Sequence, residues 1–259
     1  MPEPDAGFLP ASLETAWGLR ERPAKGPRPA LGLDRIVDAA ITLAARDGIE
    51  AVSMGRVAKE LGASTMSLYR YVAAKDELYV LMADTGVGTP PPVPEGTTGW
   101  RALLTTWAHA QRDVFRHRTW LLRIPISGPP ATPNQVAWME RGLAALDGTG
   151  LHGDERLGTL TLVGGFIRNQ ATLTADLADA VRRSGADPDR VLARYAHTLR
   201  RFTDPVRQPA ITRLLDAGVF SGPDDDPDAD FRFGLERILD GLAPLVARRT
   251  AEAGGTGHG

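Results

Sequence analysis

The sequence predicts an all-α protein in two units, a three- to four-helix helix-turn-helix domain followed by a larger helical domain. Three observations lead there. Apolar residues recur three and four positions apart through most of the chain, which places them on one face of a helix. No stretch alternates apolar and polar residues for long, as a half-buried strand would. The helical stretches are punctuated by glycine and proline, and no internal repeat is present.

The chain begins with residues 1–30, read as a flexible basic arm. Arg20, Arg22, Lys25 and Arg28 lie in "RERPAKGPRP", where proline and glycine preclude a helix. Such an arm is either a solvated tail or a DNA-contacting extension. Residues 31–85 then hold four short helices. In "LDRIVDAAITLAARDG", Leu33, Ile36, Val37, Ala40, Ile41 and Ala44 fall at helical spacing, and Gly48 supplies the stop. "AVSMGRVAKELG" offers Ser53 as N-cap, Met54, Val57, Ala58 and Leu61 as its apolar side, and Gly62 as terminator. "ASTMSLYRYVAA" restarts with Ser64 as N-cap. "KDELYVLMADTG" forms a fourth helix ending near Gly86.

Residues 86–99, "GVGTPPPVPEGTTG", read as a linker. The second unit, 100–248, opens with the helical "WRALLTTWAHAQRDVFRHR". "ISGPPATP" breaks it, and a helix follows from Pro133 or Asn134 through about Leu146. A long helix from about Asp154 to Arg183, one from about Pro188 to Phe202 and a shorter one near 206–217 come next. "SGPDDDPDAD" is an acidic loop without the glycine turn and terminal Glu of a calcium site. Asp230 can cap the last helix, whose Phe231, Leu235, Ile238, Leu239, Leu242 and Val246 form a broad stripe. Residues 249–259 read as a disordered tail.

Composition narrows the function. Among 259 residues there is no cysteine, which excludes disulfides, cysteine zinc sites and thiol nucleophiles. No apolar run approaches the roughly 20 residues of a membrane helix, and "MPEPDAGFLPASLETAW" lacks the pattern of an export signal, so a cytoplasmic protein without membrane contact is expected. The net charge is −2, yet Arg20 to Lys75 holds 10 Lys/Arg against 6 Asp/Glu. A basic N-terminal unit on an acidic body is suited to a protein that meets a polyanion with one part only.

The segment from 53 to 72 carries the mechanism. Two short helices joined by a glycine-containing turn make a helix-turn-helix. On a helical wheel Leu68 and Val72 share one side, where they can pack on Val57, Ala58 and Leu61, while Met66 and Arg70 point away. Thr65, Ser67, Tyr69 and Tyr71 fall on the margins. A narrow core stripe beneath a polar N-terminal half is how a recognition helix offers its first residues to base edges in the major groove. An ordinary helix pair in a bundle would carry a wider apolar stripe.

"LDRIVDAAITLAARDGIEAVSMGRVAKELGASTMSLYRYVAAKDELYVLM" resembles the N-terminal DNA-binding domain of the TetR family of bacterial transcriptional regulators. The resemblance covers about residues 33 to 85 and rests on the "DG" after the first helix, "S..RVAKELG", "SLY" and Lys75 with Leu78. Val72 stands where phenylalanine is frequent, an exchange that keeps the position apolar. The rest is similar in being an all-helical body with a well-defined last helix, "FGLERILDGL". The resemblance implies a ligand-binding and dimerisation domain there, a double-stranded DNA operator, a small-molecule effector and a homodimer. By position it implies phosphate contacts from Ser53 and Arg56, with Ser64 capping the recognition helix at the interface. Thr65, Met66 and Ser67 would face bases, Tyr69 and Tyr71 would bond phosphates through their hydroxyls, and Lys75 would add a charge. The tyrosine rings can equally serve packing, and one side chain can do both.

Trp100, Trp107, Phe115, Trp120, Trp138 and Phe166 crowd the second unit, where they either build the core or line a pocket. Trp107, Trp138 and Phe166, with Arg168 and Asn169 as polar groups, are the candidate effector-binding residues. Gly164 and Gly165 suggest a close helix crossing or a pocket wall beside them. The long and last helices are candidates for a dimer face. "GTGLHG", residues 148–153, matches a dinucleotide fingerprint by letter, but it follows a helix rather than a strand and reads as a connector. His109, His117, His152, His197 and His258 show no ligand spacing, and no nucleophile motif is present. No cofactor, metal site or enzymatic activity is expected. The alternatives are a helical carrier or enzyme with an unused head, which would need a polar constellation in 100–248, and a protein-interaction module using the head surface.

Overall fold

A computed structural model describes residues 11–19, 31–185, 187–220, 226 and 228–255. Arg20, Arg22, Lys25 and Arg28, most of the acidic loop and residues 256–259, with His258, lie outside the described residues. Among the described residues the regular structure is helical, in the order α1 (Ala11–Ala16), α2 (Leu33–Asp47), α3 (Met54–Glu60), α4 (Thr65–Tyr69), α5 (Lys75–Val87), α6 (Trp100–His117), α7 (Pro133–Ala144), α8 (Gly153–Ser184), α9 (Pro188–Phe202), α10 (Pro209–Asp216) and α11 (Ala229–Gly255). Two 3-10 turns, Ile49–Ala51 and Thr119–Arg123, complete it.

The head forms around α2, whose Ile36, Val37, Ala40, Leu43 and Ala44 are buried. Gly48 ends the helix at φ 84°, a conformation that costs glycine nothing. Val57 and Ala58 of α3 meet Leu68 and Val72 beneath the turn at Gly62, as their spacing requires. The capping serines are in place: Arg56 N donates to Ser53 Oγ at 3.3 Å and Ser67 N donates to Ser64 Oγ at 3.2 Å. Each bond satisfies an amide that a helix start leaves without a partner.

α5 is packed on several sides, against α1, α2, α7 and the second 3-10 turn, and buries Glu77 and Asp84 as well as its apolar residues. Leu78, Leu81 and Met82 belong to the head's core. Its last turn belongs to the body: a Cβ at Gly86 would lie 2.5 Å from the Trp120 ring. Trp120, Leu121 and Ile124, from the far side of the 86–99 linker, complete the head's core cluster. Residues 88–99 separate α5 from α6 in sequence, while the apolar packing runs across them.

The body's core is built by α6, α7, α8 and α11, with Leu104, Trp107, Trp138, Val163, Ile167, Phe231, Leu235 and Leu239 buried. α9 and α10 pack on each other. The close crossings occur at Gly142, where a Cβ would meet Leu160 at 2.8 Å, and at Gly234, where it would meet Phe166 at 2.5 Å. Gly164 and Gly165 face open space, against the expectation of a crossing there.

Residues 11–16 and 249–255, read from the sequence as parts of an arm and a tail, are helical. Part of the supposed arm is α1, where Thr15 Oγ1 donates to Glu77 Oε1 at 3.1 Å, and Trp17 Nε1 just after it donates to Ala131 O at 2.8 Å. Residues 249–255 continue α11 rather than forming a tail. Arg249 pairs with Glu155 at 2.7 Å, and Thr250 Oγ1 donates to Thr149 O at 3.1 Å. Gly150 fits under this end because a Cβ there would collide with the Arg249 backbone at 2.7 Å. The connector "GTGLHG" is thus docked. Asp230 lies in the first turn of α11, which starts one residue earlier.

Candidate nucleic-acid interface and the body beneath it

The recognition helix presents what its core stripe leaves over. Leu68 and Val72 are fully buried, whereas Met66 is 77% exposed and Tyr69 is 46% exposed. Arg70 is exposed at the C-cap, and Thr65 and Ser67 are half-buried beside Met66. Ser64 Oγ and Ser67 Oγ lie 2.8 Å apart, so Ser67's hydroxyl is oriented by the cap. Tyr71 differs from Tyr69. Its hydroxyl donates to Leu31 O at 3.0 Å, which ties the start of α2 to the end of the recognition helix and commits the only phenolic proton. What remains to an outside group is the oxygen's acceptor capacity, which a phosphate cannot use.

On α3, Arg56 is exposed, and its guanidinium bonds Asp47 Oδ2 at 2.5 Å. Arg46 bonds both oxygens of Asp47, at 3.1 and 3.2 Å, and reaches Glu60 at 2.6 Å. These neighbours, Arg46 foremost, hold the Asp47 carboxyl below the usual carboxylate range. A cleft of about 370 Å³ is lined by Arg46, Arg56, Lys59 and Glu60. Lys75, at the start of α5, is exposed, with its ammonium 5.0 Å from the Tyr79 ring centre.

In the body, the five candidate effector residues have different surroundings. Trp107 Nε1 donates to Trp138 O at 2.9 Å, and Trp138 Nε1 donates to Gly88 O at 2.8 Å, so both indoles are core residues in a chain leading to the end of α5. Phe166 stacks on Phe231 at 5.5 Å. Arg168 turns away and donates to Leu122 O at 3.1 Å and Ile124 O at 3.3 Å, holding the second 3-10 turn. Burial lowers its pKa from the ordinary value. Asn169 is exposed.

Sequence reasoning missed the groups around Phe231. His109 meets its ring edge-on at 5.2 Å, and Arg112 lies over it at 4.4 Å while pairing with Asp228 at 2.7 Å. Burial and the nearby Arg112 charge push the His109 pKa down, which favours the neutral imidazole. His109 and Arg112 are three apart on α6, a visible signal, but their partners lie more than 100 residues away. The buried Asp84 was missed as well, its partner Asn134 lying 50 residues away. Its carboxylate accepts from Asn134 N at 2.8 Å at the start of α7, and its backbone carbonyl accepts from Asn134 Nδ2 at 3.0 Å.

Residues 36–82 match the model of bacterial regulatory proteins of the tetR family, and residues 91–246 match the tetracyclin repressor-like C-terminal domain. The chain belongs to the TetR family. It is 37% identical over 250 residues to the HTH-type transcriptional repressor DrrR1 of Streptomyces coeruleorubidus, across 96% of this chain and 90% of that protein. The TetR-family structures it resembles include ActR of Streptomyces coelicolor in complex with actinorhodin, with a TM-score of 0.67 at 29% identity over 85% of this chain and 99% of ActR. ActR in complex with (S)-DNPA gives a TM-score of 0.65 at 28% identity, over 83% and 98%. As a TetR-family protein the chain is a helix-turn-helix, DNA-binding transcriptional regulator. Among its described residues no helix is long and apolar enough to cross a membrane.

Proposed function

We propose that the protein is a cytoplasmic, homodimeric repressor that binds a palindromic operator and is released by a small-molecule effector. The observation that carries this reading is the recognition helix α4, which buries Leu68 completely, with Val72 buried just past its end, and exposes Met66 and Tyr69 beside Thr65 and Ser67. Thr65 and Ser67 offer hydroxyls to base edges, and Met66 offers apolar contact to a thymine methyl. Ser53, Arg56, Tyr69 and Lys75 border this edge as phosphate contacts, which fix register without reading sequence. Dimerisation sets two such helices about 34–36 Å apart, one turn of DNA. Support for a dimer face comes from exposed Leu157 and Leu162 on α8 and Phe233 on α11, apolar side chains on two long helices.

The resemblance to ActR, solved with actinorhodin and with (S)-DNPA, supports an organic small molecule as effector. The half-buried Phe166 and His109 are the aromatic groups of the body proposed to meet such a molecule, with Phe231 fully buried against them. Effector binding would favour a separation of the two heads that no longer fits the operator. The test is selection of genomic fragments by the purified protein with and without small-molecule extracts, alongside its mass in solution. Absence of sequence-preferring, salt-sensitive DNA binding would overturn the reading.

A further inference from the structure

Asp47 occupies an unusual place for an acid. It is the last residue of α2, where the free carbonyls of the helix end disfavour negative charge. Two arginines compensate it there, Arg46 from the neighbouring position and Arg56 from the first turn of α3. Arg56 reaches it at 2.5 Å while remaining half exposed, at the rim of the cleft lined by Arg46, Arg56, Lys59 and Glu60. The same guanidinium is the one that the proposed function assigns to a DNA phosphate. One N–H of that guanidinium is already held by Asp47, so Arg56 must give up or share this bond to turn fully toward a phosphate.

We propose that Asp47 is an internal competitor for the DNA phosphate at Arg56, setting how much sequence-independent affinity each head contributes. Phosphate contacts strengthen binding to every sequence alike, so restraining one of them leaves discrimination to Thr65, Met66 and Ser67. The inference rests on the DNA-binding reading of the head and adds to it a residue that opposes binding. Asp47 acts through Arg56 and touches no base.

The experiment compares the full-length protein with Asp47→Asn, Asp47→Ser, Arg56→Ala and the Asp47→Asn/Arg56→Ala double variant. Binding is read on a fragment selected from genomic DNA and on a random duplex of equal length, across a salt series, with thermal midpoints recorded for each protein. Asp47→Asn is expected to bind both duplexes about two- to fivefold more tightly per head, the range of an exposed ion pair. Its plot of log K against log salt should steepen by about 0.9 per head, one more phosphate neutralised. In the Arg56→Ala background the gain should vanish. Asp47→Ser should behave as Asp47→Asn, and it decides the matter if Asp47→Asn does not fold. Binding unchanged within twofold with an unchanged slope overturns the proposal and leaves Asp47 as a brace between α2 and α3. The same tightening without Arg56 overturns it as well, in favour of a general charge effect. If Arg56→Ala binds both duplexes as the wild type does, the placement of Arg56 at a phosphate fails and the proposal with it. If the wild type binds neither duplex, the regulator reading itself has failed.

Discussion

The indole N–H of Trp138 donates to the carbonyl of Gly88 across 2.8 Å, so α7 grips the C-terminal end of the helix that carries the head's core. Trp138 in turn accepts from Trp107 through its own carbonyl at 2.9 Å. Two of the residues expected to line a pocket thus form the link between body and head. Trp138→Phe keeps most of the packing and loses the bond. It should cost about 0.5–1.5 kcal/mol, seen as a lower denaturant midpoint with an unchanged slope.

The two tyrosines should separate experimentally. Tyr69→Phe removes an exposed hydroxyl and should weaken binding to all DNA sequences with little change in stability. Tyr71→Phe removes the bond to Leu31 O and should lower stability by about 1 kcal/mol. Measuring DNA affinity and thermal midpoint for both variants checks the assignment, and a reversal of the two patterns would refute it.

Base reading and phosphate contact differ in their dependence on sequence. Thr65→Ala or Ser67→Ala should shift which fragments are selected. Lys75→Ala should weaken every fragment and reduce the salt slope by about 0.9 per head. Competition between operator and random duplex, measured at two salt concentrations, distinguishes the two behaviours.

The docked end of α11 carries a pH signature. Arg249, with the His152 amide, holds the Glu155 carboxyl down at about 2. A carboxyl whose folded pKa lies below its unfolded one contributes stability that is fully present above the unfolded value of about 4.3 and is lost as pH falls through the folded one. The difference in thermal midpoint between wild type and Glu155→Gln should therefore shrink between about pH 4.3 and 2. A difference that stays constant over that window would show the pair to be inert.

Gly86 tests the junction of head and body. A Cβ there would sit 2.5 Å from the Trp120 ring and 2.9 Å from Leu121, both side chains of the head's core cluster. Gly86→Ala should destabilise by about 1–3 kcal/mol through overpacking, although alanine favours helix at an open site. Chemical denaturation of this variant beside Gly165→Ala, which faces open space, gives the contrast.

Periodicity and capping residues by themselves determined the helical class, the order of the helices from α2 onward and the start of the recognition helix. Those signals are local: the Leu68/Val72 stripe, Ser53 and Ser64 as caps and Gly48 as a stop all act within one or two turns. Tertiary structure alone decided what the polar and aromatic side chains do, because their partners are remote in sequence. Arg168 looked like a pocket group until the carbonyls of Leu122 and Ile124 were brought to it. Tyr71 looked free until Leu31 was placed beside it. The supposed arm and tail are partly helical because α5 covers α1, and Glu155 and Thr149 hold the end of α11. Asp47 reads in sequence as half of a turn signal, and only the packing of α2 against α3 sets it on Arg56. A chain of 259 residues dictates its local helices through neighbours three and four apart, but ion pairs and hydrogen bonds between helices depend on how those helices cross.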